Sequence, residues 1–170
     1  VTVLKDQYAT LKDKPFRILI ISTLVGDINA GMMLSTIPFV IEYWLKMQDW
    51  FAAIFLIVIV AQIFFGFLWV RVSRTKGKKF VFAAAQLLYG VNAFFMLFMG
   101  PGKVTQMLLW ALVVSLALAA YLMVWSLIAD VVDYDEHKRH VRREGAFYSM
   151  YTLTNKVATA IGTFLVGLFL

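Results

Sequence analysis

The 170-residue sequence contains no cysteine, which excludes a disulfide framework, a thiolate nucleophile and a cysteine-based metal site together. Charge is also scarce. Asp, Glu, Lys and Arg make up 15% of the chain and gather in short blocks between long apolar runs, whereas a soluble surface scatters them. No nucleophile–base pair, metal-ligand set or phosphate-binding loop stands out, so an enzyme is not expected. Apolar side chains are abundant: 62% of residues are hydrophobic, 16% are aromatic and the mean hydropathy is +0.80. That balance belongs to a membrane protein. The start, Val1 to Lys14, carries charge without a continuous apolar run, so it reads as a cytoplasmic, amphipathic lead rather than a secretory signal.

The expected fold class is all-α, a polytopic transmembrane helical bundle of about five spans. Pro15 stands where a membrane helix can begin, and the first span runs over about 16–45. This is longer than the roughly 20 residues that cross the hydrocarbon, so tilt, protrusion or a kink near Pro38 is expected. Further spans are expected over about 50–70, 80–99, 104–130 and 146–170, with the basic run Arg71 to Lys79 and the turn Gly100–Pro101–Gly102 between them. Thirteen of the 16 Lys and Arg fall in the lead, in the Arg71–Lys79 loop and in the Lys138–Arg143 loop. Basic residues at span ends are retained inside, so these segments are expected in the cytoplasm. The charge of +6 is then mostly topology with some attraction to anionic lipid, and nucleic acid is not an expected partner.

Ionisable residues at membrane depth are costly and face a bundle interior or a water-filled cavity. Asp27 stands ten residues past Arg17, and Lys156 ten residues past Ala146. Both therefore lie about 15 Å into their helices at 1.5 Å per residue, where they either pair with each other or face a polar substrate. Asn29 and Asn155 add hydrogen-bonding capacity beside them, as a site or as glue between helices. Gly26 with Ala30, and Ala158 with Gly162, have the spacing of small residues that lets helix backbones approach. Tyr43, Trp44, Trp50, Trp69 and Trp110 lie near span ends and read mostly as interfacial anchors. Tyr121 and Trp125, one turn apart, are placed to stack on the apolar face of a sugar or to fill a core.

The densest charge lies in one stretch, Ala129 to Lys156. Asp130, Asp133 and Glu136 recur every three residues and share a helix face. With Arg142, Arg143 and Arg71 facing the same compartment, they make either an exchangeable ionic gate or a solvated loop that sets topology. His137 and His140 read as exposed members of this loop, and no metal site is assigned to them.

The stretch ADVVDYDEHKRHVRREGAFYS, followed by Lys156, resembles the loop between helices ten and eleven of the glycoside-pentoside-hexuronide:cation symporters. These form the melibiose permease-like branch of the major facilitator superfamily. KDKPFRIL resembles the family's entry into helix seven, and RVSRTKGKK its loop between helices eight and nine. The resemblance implies helices seven to eleven of a twelve-helix fold, lacking the N-terminal six-helix half and the last helix. It further implies part of a secondary active transporter of a sugar or glycoside in a bacterial inner membrane. Its coupling cation, Na+ or H+, would be bound in the absent half, and no other cofactor is implied. Lys156 falls where the family has a substrate-site lysine, and Tyr121 where it has a helix-ten tryptophan. Asp130, Asp133, Glu136, Arg142 and Arg71 match members of its cytoplasmic gate, while Asp27 departs from the pattern, which has an amide there. Alternatives are a carrier of lysolipids or other amphiphiles, since related branches share the loop pattern, and a non-transporting membrane subunit or sensor.

Overall fold

The computed structural model describes Gln7 and residues 10–169; Lys5 and Asp6 of the expected lead, and Leu170, lie outside the described residues. Every regular element among the described residues is helical. Helix α1 is Lys14–Phe39, followed by a π-helical turn at Val40–Trp44 and a short 3-10 turn at Gln48–Trp50. Helix α2 is Phe51–Lys76, α3 Lys78–Leu97, α4 Val104–Tyr121, α5 Met123–Arg139 and α6 Glu144–Phe169. Because α4 and α5 follow one another across Leu122, they count as one passage, and five helical segments are long and apolar enough to cross a membrane.

Local chemistry explains where these helices stop. Pro38 has no amide hydrogen to continue the α ladder, and the helix passes into the wider π turn two residues later, with the Leu45 amide donating to the Val40 carbonyl at 2.8 Å. Gly77 alone separates α2 from α3 and takes φ +83°, a left-handed conformation that a side chain disfavours. The last turn of α5 carries His137, Lys138 and Arg139, and the first turn of α6 carries Glu144. These signs complement the partial charges at the two helix ends.

The chain divides into two compact units, Val1–Leu34 with Trp125–Leu170, and Ser35–Val124. In the second unit α4 packs on α2 and on α3, presenting the small residues Ala119 and Ala120 to Trp69, Val81 and Ala85. The Trp69 indole donates to the Leu116 carbonyl at 2.9 Å, and Asn92 donates to the Trp110 carbonyl at 3.4 Å. Trp69, packed beside Ala85, Ala119 and Ala120, and Trp110, 2% exposed, are thus buried in the helix packing rather than interfacial anchors. Tyr43, Trp44 and Trp50 are exposed, and Trp44 donates to the Met99 carbonyl at 3.1 Å. Most of α2 is apolar and exposed, as a lipid-facing helix requires.

In the first unit α1 and α6 lie side by side. Phe16 meets Phe147 edge-on at 4.8 Å near one end, and Gly31 meets the Thr159 backbone farther along, so the helices run in the same direction. The buried residues of α1, Phe16, Leu19, Ile20, Thr23, Gly26, Asp27 and Gly31, form one stripe at helical spacing. They face the stripe Phe147, Tyr151, Ala158, Gly162 and Val166 of α6. The expected small pair Ala158 and Gly162 is buried here, with Gly162 against the Ile28 and Met32 backbones and Gly31 against that of Thr159. A Cβ on Gly162 would stand 2.1 Å from the Ile28 carbonyl oxygen, and one on Gly31 2.3 Å from that of Thr159.

This contact yields a controlled comparison. Gly162→Ala should destabilise the detergent-solubilised protein by about 1–3 kcal/mol, the usual cost of overpacking, because two backbones must separate. Gly167→Ala, on the same helix with nothing within 4 Å, should leave the melting temperature unchanged or slightly higher. Equal melting temperatures for the two variants would disprove the close crossing.

Candidate functional site

Helix α6 turns a polar face outward. Asn155, Lys156, Thr159 and Thr163, with Ala160 and Phe164, line an open groove of about 530 Å³. Their spacing of one, three or four residues keeps them on one side of the helix. Lys156 is exposed, and among the described residues no carboxylate forms an ion pair with it. The groove offers an ammonium, an amide and two hydroxyls on one wall and an aromatic ring at its margin, which suits a solute with several oxygens and one apolar face.

The other expected site residues fall in different surroundings. Asp27 is 1% exposed and lies in the α1 stripe that packs on α6, one turn before Gly31. Gly31 meets Thr159, so Asp27 is level with the turn of α6 that carries Asn155 and Lys156. The two charged groups share a depth, but Asp27 is buried while Lys156 looks into the groove. Asn29 is half-buried, with its amide near the Met33 sulfur at 3.9 Å. Tyr121 ends α4 in the second unit, packed at 5.9 Å against Phe82 and 5.7 Å against Tyr89. Trp125 begins the α5 part of the first unit, stacked on Tyr148 at 6.2 Å and edge-on to Tyr151 at 5.1 Å. Leu122, between the two aromatic residues, ends α4 while keeping right-handed helical backbone angles.

The charged residues at the α5–α6 turn divide by burial. Asp130 and Asp133 are exposed, and Glu136 is half-buried. Arg142 reaches Glu144 at 2.9 Å and Glu136 at 3.6 Å, with 60% of its side chain exposed. Hydrogen bonding to Glu144, then the charges of Glu144 and Glu136, hold the Arg142 guanidinium above its ordinary value. Arg71 is exposed near the end of α2 in the second unit.

A second set of four charges includes Arg143, expected among the gate residues, with three partners that no spacing marks. Asp135, with 3% of its side chain exposed, accepts from Arg143 at 2.8 Å and from Arg139 at 3.0 Å. Asp13 in turn accepts from Arg139 at 2.9 Å and from Arg143 at 3.3 Å. The signs alternate around a closed ring. Arg143 also lies over the Phe147 ring at 5.6 Å, and Phe147 is the edge partner of Phe16. The available signal was the phase of α5: Ile128, Val132, Asp135 and Arg139 follow at four, three and four residues, so the buried apolar stripe ends in a charge pair.

Comparison with known proteins places this geometry. A family described as MFS/sugar transport protein matches residues 1–170. An uncharacterized symporter of Synechocystis is 38% identical over 106 residues, covering 61% of this chain and 19% of that protein. A protein of Escherichia coli named "Putative sulfoquinovose importer" is 32% identical over 94 residues, 55% of this chain and 20% of its own length. Another from Escherichia coli, named "Putative 2,3-dihydroxypropane-1-sulfonate exporter", is 31% identical over 106 residues, 62% of this chain and 23% of its own length. The chain thus spans about a fifth of the length of these relatives. No solved structure matches it. With five apolar spans and a family match that covers every residue, this is a multi-pass membrane chain that belongs to the MFS/sugar transport protein family, a family of transporters and not of enzymes.

Proposed function

We propose that the chain is part of a secondary active transporter that moves a sugar or glycoside together with Na+ or H+ by alternating access. The observation that carries this reading is the polar wall of α6, with Lys156 in an open groove on a helix long and apolar enough to span the membrane. Hydrocarbon offers no hydrogen bonds, so such a wall requires water or a polar solute beside it. Lys156 would donate to substrate hydroxyls, with Asn155, Thr159 and Thr163 supplementing it, and an aromatic ring, Trp125 in the same unit, would stack on the sugar face. Asp27 and Asn29 would brace the same depth from α1. Asp130, Asp133, Glu136, Arg142 and Arg71 would form the exchangeable charges of the cytoplasmic gate, on the side that the positive-inside rule assigns to the basic loops. The cation would be held by another part of the transporter, in a bacterial inner membrane.

A second reading within transport concerns the substrate's charge. Lys156 has no carboxylate partner among the described residues, and two relatives are named for moving sulfonates. A sulfonated sugar such as sulfoquinovose would supply the missing anion and keep the hydroxyls that the threonines can meet.

In the full-length protein, Lys156→Ala should weaken equilibrium substrate binding by about 10- to 100-fold, the worth of a hydrogen bond to a charged group. Unchanged affinity would remove Lys156 from the site. Uptake assays on proteoliposomes with a sodium or proton gradient should show gradient-dependent accumulation, and its absence for every sugar tried would sink the symport reading. Sulfoquinovose should compete with labelled substrate at least tenfold better than its neutral parent hexose, and only while Lys156 is present. Equal competition by the two would point to a neutral glycoside.

A further inference from the structure

We propose that Asp13, Asp135, Arg139 and Arg143 form a clasp that stays closed throughout transport. The inference rests on the transporter reading and separates these four charges from the gate. The clasp joins three elements: Asp13 precedes α1, Asp135 and Arg139 end α5, and Arg143 caps α6, accepting the Ala146 and Phe147 amides at 3.0 and 3.4 Å. Each of its four sides is an ion pair between 2.8 and 3.3 Å. The clasp centres on Asp135, Asp13 and Arg143, whose side chains are 3%, 11% and 14% exposed, with Arg139 at 41% on its outer side, whereas Arg142, Glu136 and Glu144 are 60%, 41% and 49% exposed. Opening the clasp strands a buried carboxylate, but exchanging the partners of Arg142 leaves every charge in water. The two sets therefore differ in the property that decides whether an ion pair can cycle.

Closure sets the site because Arg143 fixes the first turn of α6, and Lys156 follows about 20 Å along the same rigid helix. The aromatic floor under the guanidinium, Phe147 against Phe16, ties the same turn to α1. With the clasp closed, α1, α5 and α6 move as one piece and the groove keeps its shape while the gate charges exchange partners.

The test is covalent closure in the full-length transporter. Asp13→Cys with Arg139→Cys leaves the Asp135–Arg143 pair intact, and this stretch of chain contributes no thiols of its own. Uptake before and after a short, reducible thiol crosslinker should agree within twofold. Gln7→Cys with Ser149→Cys, residues that hydrogen-bond at 3.0 Å, keeps all four charges and provides the same readout if the first pair does not accumulate. Loss of uptake on crosslinking, restored by reduction, would show that this end opens in each cycle and would overturn the clasp. Thermal melting supplies a readout independent of transport: Asp135→Asn should lower Tm by several degrees while Arg142→Gln leaves it unchanged, and equal behaviour of the two would also overturn the proposal. Wild-type protein without uptake would fail the transporter reading alone, and the melting comparison would then decide the clasp.

Discussion

The backbone contact between α1 and α6 governs the first unit. Gly31 and Gly162 have no room for a Cβ, so the two helices touch at their main chains and neither can rotate without a clash. Rotation decides chemistry here. With 3.6 residues per turn, a residue two positions from Ala158 points about 200° away from it. Because Ala158 and Gly162 face α1, Lys156 faces outward, and Asn155, Thr159 and Thr163 extend the same side. The same argument on α1 turns Asp27 inward, since it precedes Gly31 by one turn. One contact therefore separates two charges that lie at the same depth.

Burial makes a comparable division at the charged end. Asp135 and Arg143 exchange three hydrogen bonds between 2.8 and 3.1 Å in a nearly closed environment, and Arg139 and Asp13 complete the ring. Removing one member of a buried pair typically costs about 3–5 kcal/mol because the other is left uncompensated. Exposed pairs carry no such penalty, which is why the neighbouring Arg142 can hold two carboxylates loosely. Adjacent residues of one loop thus form buried and exposed ion pairs side by side, depending on which helix face each extends.

The sequence made the spans legible because apolar runs between charge blocks leave few other arrangements in a bilayer. It also exposed the depth of Asp27 and Lys156, which follows from counting residues at a fixed rise. Facing direction was harder to read. The Ala158–Gly162 spacing marked a close contact, but Gly162 meets the backbones of Ile28 and Met32, and of the Gly26–Ala30 pair only Gly26 is buried, since spacing gives period without saying which helix lies opposite. Asp130, Asp133 and Glu136 share a spacing and drew attention through it. Asp135 sits between them in sequence, and only the phase inherited from Ile128 and Val132 reveals that it is the buried one.

What the exposed surfaces demand can still be argued from composition along a single helix. Helix α6 has three faces: Phe147, Tyr151, Ala158, Gly162 and Val166 are buried, while Leu153, Val157, Ile161 and Leu168 are exposed and apolar. The third carries Asn155, Lys156, Thr159 and Thr163. Helix α2, by contrast, exposes Leu56, Ile59, Ile63, Phe64 and Phe67, and its only polar side chain between Phe51 and Val70 is Gln62. A helix that met lipid on every exposed side would resemble α2. Lipid satisfies the second face of α6 but not the third, where an ammonium in hydrocarbon would remain without hydrogen bonds. The boundary runs along Ala160 and Phe164, which line the groove, so the change from an apolar to a polar exposed surface takes place within one helix.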